Sequence, residues 1–203
     1  MATQTTKIGI VNRALQLVGF PQINSINENS RGARSMARAY DSVLLNELRK
    51  HFWNFAIKRI SLVANATPPI FGKGNYFDLP GDFLMLAPMD EAFGIAAGGP
   101  ISGPPSINDW QIEGNQIASN ELGPLNVRYI SSNLVESLFD VTFAEALSCA
   151  LAINTVEELT NSNTKMANLQ KTYDDYIKMA RRRNAFENRP VQSPTDSWIT
   201  SRF

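Results

Sequence analysis

Residues 52–63, FWNFAIKRISLV, divide a helical part of the sequence from a strand-rich part. Before this stretch, apolar side chains recur every three or four residues, which is the spacing of an amphipathic helix. Within it, aromatic and β-branched residues follow each other closely, which favours a β-strand. The class of regular structure is therefore predicted to change here, and the stretch as a whole is predicted to be a strand.

Two helices are predicted on the N-terminal side of this stretch. Thr5 or Thr6 can cap the first helix, which Gly19 ends, and Ser30 can cap the second. The second helix has the clearest apolar stripe in the sequence, and its arginines lie on other faces. The stripe consists of Ala33, Met36, Ala37, Tyr40, Val43, Leu44 and Leu48.

The region that follows residue 63 holds most of the prolines and glycines and shows no helical period. Short strands fit NYFDL, EAFGIA, DWQIE, NQIAS and LNVRYIS. Glu113-Gly114-Asn115 supplies a hairpin turn between the third and fourth of these strands, because glycine tolerates a positive φ. The stretch AAGGPISGPPS, residues 96–106, is too rich in Gly and Pro for regular structure and is predicted to be a loop.

Helical periodicity returns after Asp140. Thr142 and Glu145 have the spacing of a capping box at the start of a third helix. The polar break TNSNT precedes a fourth helix, which three consecutive arginines close, where positive charge suits the negative end of the helix dipole. Pro190 ends the regular structure.

The predicted fold class is α+β, mainly α. It consists of an antiparallel bundle of about four helices, a small antiparallel β unit inserted between the two helix pairs, and an extended C-terminal tail. Residues 1–52 and 138–189 form the discontinuous bundle, residues 53–137 form the inserted β-rich unit, and residues 190–203 form the tail.

Composition narrows the function. The chain has 203 residues with 19 basic and 19 acidic side chains, and this balance argues against a dedicated nucleic-acid binder. The charges are segregated, because residues 61–130 hold two basic and seven acidic side chains. The single cysteine, Cys149, excludes an internal disulfide and cysteine-based zinc sites, and is predicted to be a buried small hydrophobe. No apolar run is long enough to predict a transmembrane helix.

Catalytic patterns are missing from the sequence. His51 is the only histidine, it follows two basic residues at a predicted helix end, and no G-x-S-x-G motif accompanies it. FGKGN lacks the spacing of a phosphate-binding loop and is predicted to be a turn. Neighbouring acids, Glu157-Glu158 and Asp174-Asp175, point apart on a helix and do not converge on a metal. We therefore predict no catalytic residue, no cofactor, no metal site and no enzyme.

The tail, PVQSPTDSWITSRF, raises a different question, because it carries Trp198 and Phe203 among Pro and Ser residues. Two explanations stay open. The aromatic residues pack back onto their own domain as a clasp, or they anchor the tail to another protein. Aromatic and arginine side chains dominate binding energy at interfaces, and Arg202 lies beside them.

The ordered set of motifs resembles one known family. An early pair of amphipathic helices leads into FWNFAIKRISL, then YFDLPGDFL, WQIEGNQIASN, LNVRYIS and FAEALSCALAINTVEELT. In this order the motifs resemble the tail tubular protein A family, the head-to-tail adaptors of short-tailed bacteriophages. The resemblance covers nearly the whole chain, although no single motif is diagnostic. The loop of residues 96–106 shows no pattern that can be matched to the family.

The resemblance implies a structural protein of the virion, assembled in the host cytoplasm and located in the tail at the head-to-tail interface. The family forms a homo-oligomeric ring, a dodecamer, between the portal protein and the tail nozzle protein (tail tubular protein B). DNA passes through the ring without specific binding, and no membrane is involved. The bundle is expected on the portal side, where the C-terminal segment grips the portal, and the β unit is expected to meet the nozzle.

Two sets of site residues follow from these arguments. The predicted portal-binding residues are Trp198, Ile199, Arg202, Phe203, Arg181, Arg182 and Arg183. Carboxylates that face a DNA channel would repel phosphates and keep the exit path from sticking. The predicted channel-facing or nozzle-facing residues are Asp82, Asp90, Glu91, Asp109 and Glu121. The alternative stays open that they are ordinary solvated residues of loops.

Three other functions compete with the adaptor. A nucleic-acid-binding factor would use the basic first third and the arginine cluster, and would retain DNA in a salt-dependent manner. A tail-associated hydrolase would have to use the single histidine without a convergent carboxylate pair. A head-completion connector of another tail type is the nearest alternative within the structural class.

Overall fold

The structure is a computed structural model and describes residues 6–87, 110–160 and 162–187. Within these residues, two pairs of helices flank six strands in chain order, which confirms the α+β, mainly α, class. The helices are α1 (Lys7–Val18), α2 (Arg31–Arg49), α3 (Val141–Thr160) and α4 (Asn163–Phe186). The strands are β1 (Ile57–Leu62), β2 (Asn75–Asp78), β3 (Phe83–Leu86), β4 (Trp110–Glu113), β5 (Gln116–Ser119) and β6 (Leu125–Ser131). The predicted strand EAFGIA, the loop of residues 96–106 and the tail lie outside the described residues.

The first two helices begin and end where local signals predict. The Thr6 hydroxyl accepts the N–H of Gly9 at 3.1 Å, and the Ser30 hydroxyl accepts the N–H of Ala33 at 3.2 Å. Each hydroxyl satisfies a backbone donor that the first turn leaves without an intrahelical partner. Gly19 ends α1 with a φ of 81°, a conformation that side chains with a Cβ rarely adopt.

The predicted capping box at the start of α3 is wrong. The Asp140 carboxylate caps this helix, since its Oδ1 accepts the N–H of Thr142 at 2.8 Å. Glu145 instead pairs with Arg13 of α1, with Nε and Oε2 3.0 Å apart. A capping box assigns Glu145 to its own helix end, whereas the structure uses it to attach α3 to α1.

α3 is the central helix of the bundle, because α1, α2 and α4 all pack against it. Its buried residues therefore lie on several faces, and it has no single apolar stripe. Cys149 of this helix is fully buried, which confirms the prediction, and burial raises the pKa of its thiol to about 11.

The first residues of the stretch 52–63 pack in the bundle core, and the strand begins only after them. Trp53 and Phe55 pack against Phe139 and Phe143, with the Trp53 and Phe143 ring centroids 4.9 Å apart. β1 begins only at Ile57, after one turn of 3₁₀ helix. The prediction of a strand over the whole of residues 52–63 is therefore wrong in its first half, because bundle packing overrides the β propensity of the aromatic residues.

The β unit contains two three-stranded antiparallel sheets, with strand orders β1-β6-β3 and β2-β5-β4. β4 and β5 form the predicted hairpin, and Gly114 in its turn has a φ of 60°. A second, smaller core holds the unit together. It consists of Leu62, Phe77, Leu79, Ile117, Leu125 and Val127. No helix in the described part of the chain is long and apolar enough to cross a membrane.

Candidate interaction surfaces

Four large apolar side chains are exposed on two neighbouring loops of the β unit, and we call them the apolar tip. They are Val63, Ile70, Phe71 and Leu122. Ile70 is 100% exposed and Leu122 is 89% exposed, so neither contributes to a core in the described structure. Single exposed apolar residues are common, whereas several of them on adjoining loops make this end of the β unit a candidate surface for binding other molecules.

Hydrogen bonds join the two loops of the apolar tip. The Gly74 N–H donates to the Asn120 side-chain oxygen at 2.9 Å, and the Asn75 side chain donates to the Glu121 carbonyl at 2.8 Å. Gly123 closes the second loop with a φ of 82°, and a Cβ at this position would lie 3.2 Å from the Phe77 ring. The tip is therefore attached to the second core.

β1 separates the apolar tip from the bundle. Ile57, its first residue, packs against the bundle core, whereas Leu62, its last residue, belongs to the second core. Six residues of extended strand span roughly 20 Å at about 3.3 Å per residue. The loop that carries Ile70 and Phe71 starts at the end of β1 remote from the bundle.

Asn184 fixes the junction between the bundle and the β unit. Its side-chain oxygen accepts the N–H of Asn54 at 2.8 Å, and its amide donates to the Phe52 carbonyl at 2.9 Å. The same amide lies 3.2 Å from Nε2 of His51. Sequence reasoning missed Asn184, because a single polar residue near a helix end gives no signal of partners about 130 positions away.

His51 belongs to this junction. Burial and the nearby charge of Arg181 both lower the pKa of its imidazole. The ring lies edge-on against Trp53, with centroids 4.9 Å apart. These contacts assign His51 a packing role beside Asn184.

A buried carboxylate lies close to this junction. Glu47 is 2% exposed and accepts hydrogen bonds from Lys50 Nζ at 2.6 Å and from the Tyr173 hydroxyl at 2.8 Å. Burial raises the pKa of Tyr173, so its hydroxyl stays protonated and continues to donate to Glu47. Trp53 completes the cluster by donating its indole N–H to the Glu47 carbonyl at 3.0 Å. The network connects α2 and α4.

An open groove of about 470 Å³ lies between the first sheet and the end of α4. We call it the arginine groove. It is lined by Asn54, Ile57, Arg59, Arg128 and Glu187. Arg59 of β1 lies directly opposite Arg128 of β6 in the strand register.

The structure covers only part of the predicted portal-binding set. Arg181, Arg182 and Arg183 are all exposed near the end of α4, which continues to Phe186. The remaining members lie outside the described residues: Trp198, Ile199, Arg202 and Phe203.

Two of the predicted channel-facing or nozzle-facing carboxylates are described. Asp82 accepts hydrogen bonds from Lys58 Nζ at 2.7 Å, from the Ser131 hydroxyl at 2.8 Å and from the Tyr129 hydroxyl at 3.0 Å. The hydrogen bond from Lys58, with those from Ser131 and Tyr129, lowers the pKa of Asp82 to about 2. Its carboxylate is thus engaged within the fold. Glu121 lies on a loop of the apolar tip, and Asp90, Glu91 and Asp109 lie outside the described residues.

Among the described residues, no group of three or more His, Cys, Asp or Glu side chains could hold a metal ion. No protein-family model matches the chain, and no curated protein matches it. Among the described residues, the candidate binding surfaces are the apolar tip and the exposed arginines near the end of α4.

Proposed function

We propose that the chain is a structural head-to-tail adaptor of a short-tailed phage, which forms a ring between the portal and the tail nozzle around the DNA exit channel. The motif order that resembles the tail tubular protein A family motivates this proposal. The α+β architecture, with helix pairs on either side of the strands, is compatible with it.

The apolar tip is the observation that supports the proposal most strongly. An adaptor needs two binding surfaces that are separated in space. The tip supplies one of them at the end of β1 remote from the bundle, and the exposed end of α4 with Arg181, Arg182 and Arg183 supplies the other. Because large apolar side chains anchor interfaces, exposed Phe71 and Ile70 suit contact with a second protein better than contact with water or DNA.

The two surfaces have different partners in this proposal. The tip belongs to the β unit and meets the nozzle protein. The end of α4 leads into residues 188–203, whose Trp198 and Phe203 anchor the chain to the portal. Association of this type needs no cofactor and no catalytic group.

Portal and nozzle binding test the proposal separately. Purified full-length protein, and a version that ends at Pro190, are each mixed with portal rings of the same phage and followed by sedimentation and negative-stain microscopy. We expect the full-length chain to add a second ring to the portal and the shortened chain to fail. If neither chain binds while the full-length protein is retained on DNA in a salt-dependent manner, the adaptor is refuted in favour of a nucleic-acid-binding factor.

A substitution in the apolar tip tests the nozzle side. Phe71→Ser should leave portal binding intact and abolish attachment of the nozzle protein to the portal-bound ring. The matched control is Val135→Ser, since Val135 is also exposed, at 63%, but lies outside the tip. Equal nozzle attachment in the two variants would contradict the assignment of the tip.

A further inference from the structure

The last two turns of α4 carry an apolar stripe on the side that faces away from the bundle. Phe186 is 82% exposed, the highest value for any large apolar side chain on the four helices, and Met179 is 46% exposed. These two residues are seven positions apart, which is two turns, so they lie on one side of the helix. The buried residues of α4 occupy the other side. They are Leu169, Tyr173, Ile177, Ala180 and Asn184.

Two positive charges border this stripe. Arg182 and Arg183 are exposed, and each is three or four positions from both ends of the stripe, which is the spacing of neighbours on a helix surface. Neither forms an ion pair with another residue of the described ranges. We call this surface the α4 face, and it consists of Met179, Arg182, Arg183 and Phe186.

Arg181 is separated from the α4 face, although it is adjacent in the sequence. It lies three positions before Asn184, whose side chain is buried in the junction. The charge of Arg181 also acts on His51, where it contributes to lowering the pKa of the imidazole. The three consecutive arginines therefore point in different directions, and only two of them border exposed apolar side chains.

The composition of the α4 face indicates a protein partner that carries negative charge. Phe, Met and Arg are enriched in protein interfaces relative to the rest of the surface. The phosphates of DNA would satisfy the two guanidinium groups but would leave Phe186 and Met179 in water. A helix with an apolar stripe between carboxylates would satisfy both halves of the face. Each arginine can donate two parallel hydrogen bonds to a carboxylate, while the two apolar stripes pack together and exclude water.

We propose that the α4 face binds an acidic helix of the portal protein, with Phe186 and Met179 on the apolar stripe of that helix and the two arginines on its carboxylates. The identity of the partner as the portal rests on the proposed function, whereas its negative charge and its apolar stripe follow from the α4 face itself. Arg181 takes no part in this contact. The affinity for the portal decreases as the salt concentration rises, because salt screens paired charges near a surface.

Photo-cross-linking identifies the occupant of the α4 face. p-Benzoylphenylalanine replaces Phe186 in the full-length chain, which is mixed with portal rings of the same phage and irradiated. Mass spectrometry then locates the cross-linked peptide, which we expect in a portal segment with acidic and apolar residues at helical spacing. The same group in place of Arg181 is the matched control and should cross-link to the portal much less. A cross-link from position 186 to a second copy of the chain, or to a portal segment without acidic residues, would overturn the inference.

The affinity for portal rings measures what the side chains contribute. Phe186→Ser, and Arg182→Glu combined with Arg183→Glu, should each weaken binding by about tenfold or more, as expected for side chains at the centre of an interface. Arg181→Glu should change the affinity by less than about twofold, which is the range of an exposed charge outside a contact. Because all of these side chains are exposed, the variants should remain folded, and circular dichroism establishes this.

The results separate this inference from the proposed function. If the unaltered chain binds portal rings and the Phe186 and double arginine variants bind equally well, the α4 face is refuted as the contact while the adaptor proposal stands. If the unaltered chain does not bind portal rings, the adaptor proposal fails and this inference fails with it. If duplex DNA displaces the portal from the unaltered chain and Phe186→Ser has no effect, the arginines belong to a nucleic-acid site and the inference is overturned.

Discussion

Replacing Asn184 with alanine should weaken the attachment of the β unit to the bundle. The substitution removes three contacts of the amide side chain, to the Asn54 N–H at 2.8 Å, to the Phe52 carbonyl at 2.9 Å and to His51 Nε2 at 3.2 Å. Asn184 is 7% exposed, so water cannot readily replace the lost partners. In the variant, the Asn54 N–H and the Phe52 carbonyl lose their hydrogen-bond partner and remain desolvated, which costs free energy.

The expected loss follows from these contacts. A net contribution of about 1 kcal/mol for each hydrogen bond gives about 3 kcal/mol for the three. Alanine is the better helix former, which offsets about 0.5 kcal/mol. The free energy of unfolding of Asn184→Ala should therefore fall by about 2–3 kcal/mol. For a chain of this size that corresponds to a decrease in Tm of roughly 5–10 °C.

Urea denaturation followed by circular dichroism measures this change. The matched control is Asn168→Ala on the exposed side of the same helix, which should be neutral or slightly stabilising. The role of Asn184 in attaching the β unit to the bundle would be refuted if the free energy of unfolding fell by less than about 1 kcal/mol in Asn184→Ala. A decrease equal to that of the control would refute it as well.

Two further predictions concern buried and half-buried charges. The pKa of Asp82 is about 2 in the fold and 3.8 ordinarily, so its contribution to stability is full above pH 3.8 and is lost as the pH falls towards about 2. In Asp82→Asn, the free energy of unfolding measured in urea should depend less on pH across this window. If its dependence on pH were unchanged, the hydrogen bonds assigned to Asp82 would be contradicted. Tyr173→Phe removes a hydrogen bond to the buried Glu47 carboxylate and should lower the free energy of unfolding by about 1.5–3 kcal/mol. A loss under about 0.5 kcal/mol in the same urea assay would mean that Glu47 does not depend on this bond.

The features that the sequence predicts well depend on neighbouring residues. Thr6 and Ser30 act on N–H groups three positions away, and Gly19 and Gly114 adopt positive φ values that glycine favours. Each of these signals involves only residues that lie within a few positions of one another in the sequence. They determine where α1, α2 and the β4–β5 hairpin begin or end without reference to the rest of the fold.

The features that it does not predict depend on distant contacts. β3, Phe83–Leu86, was not predicted, because four consecutive apolar residues show no alternation and the strand exists only through pairing with β6. The aromatic residues before β1 have strand propensity but pack against Phe139 and Phe143, more than 80 positions away. Neither the division into two sheets nor the register that opposes Arg59 to Arg128 leaves a local pattern.

The sequence predicts one of the candidate surfaces and not the other, for the same reason. The arginine cluster at the end of α4 is visible in the sequence, because three consecutive charges on a helix end cannot all be buried. The apolar tip cannot be predicted from the sequence, because the sequence does not show whether a loop buries or exposes Ile70 and Phe71. The contacts of Asp82 are not visible in the sequence either, because only the fold brings Lys58 and Tyr129 to its carboxylate.

Cryo-electron microscopy of virions of the short-tailed phage that, on the proposed function, encodes this chain tests the central claim most directly. The account predicts a ring of copies between portal and nozzle, with the helices on the portal side and the loop of Ile70 and Phe71 in contact with the nozzle. The account would be contradicted if density at this position did not accommodate the two sheets and four helices of the described residues, or if mass spectrometry of purified virions detected no such chain.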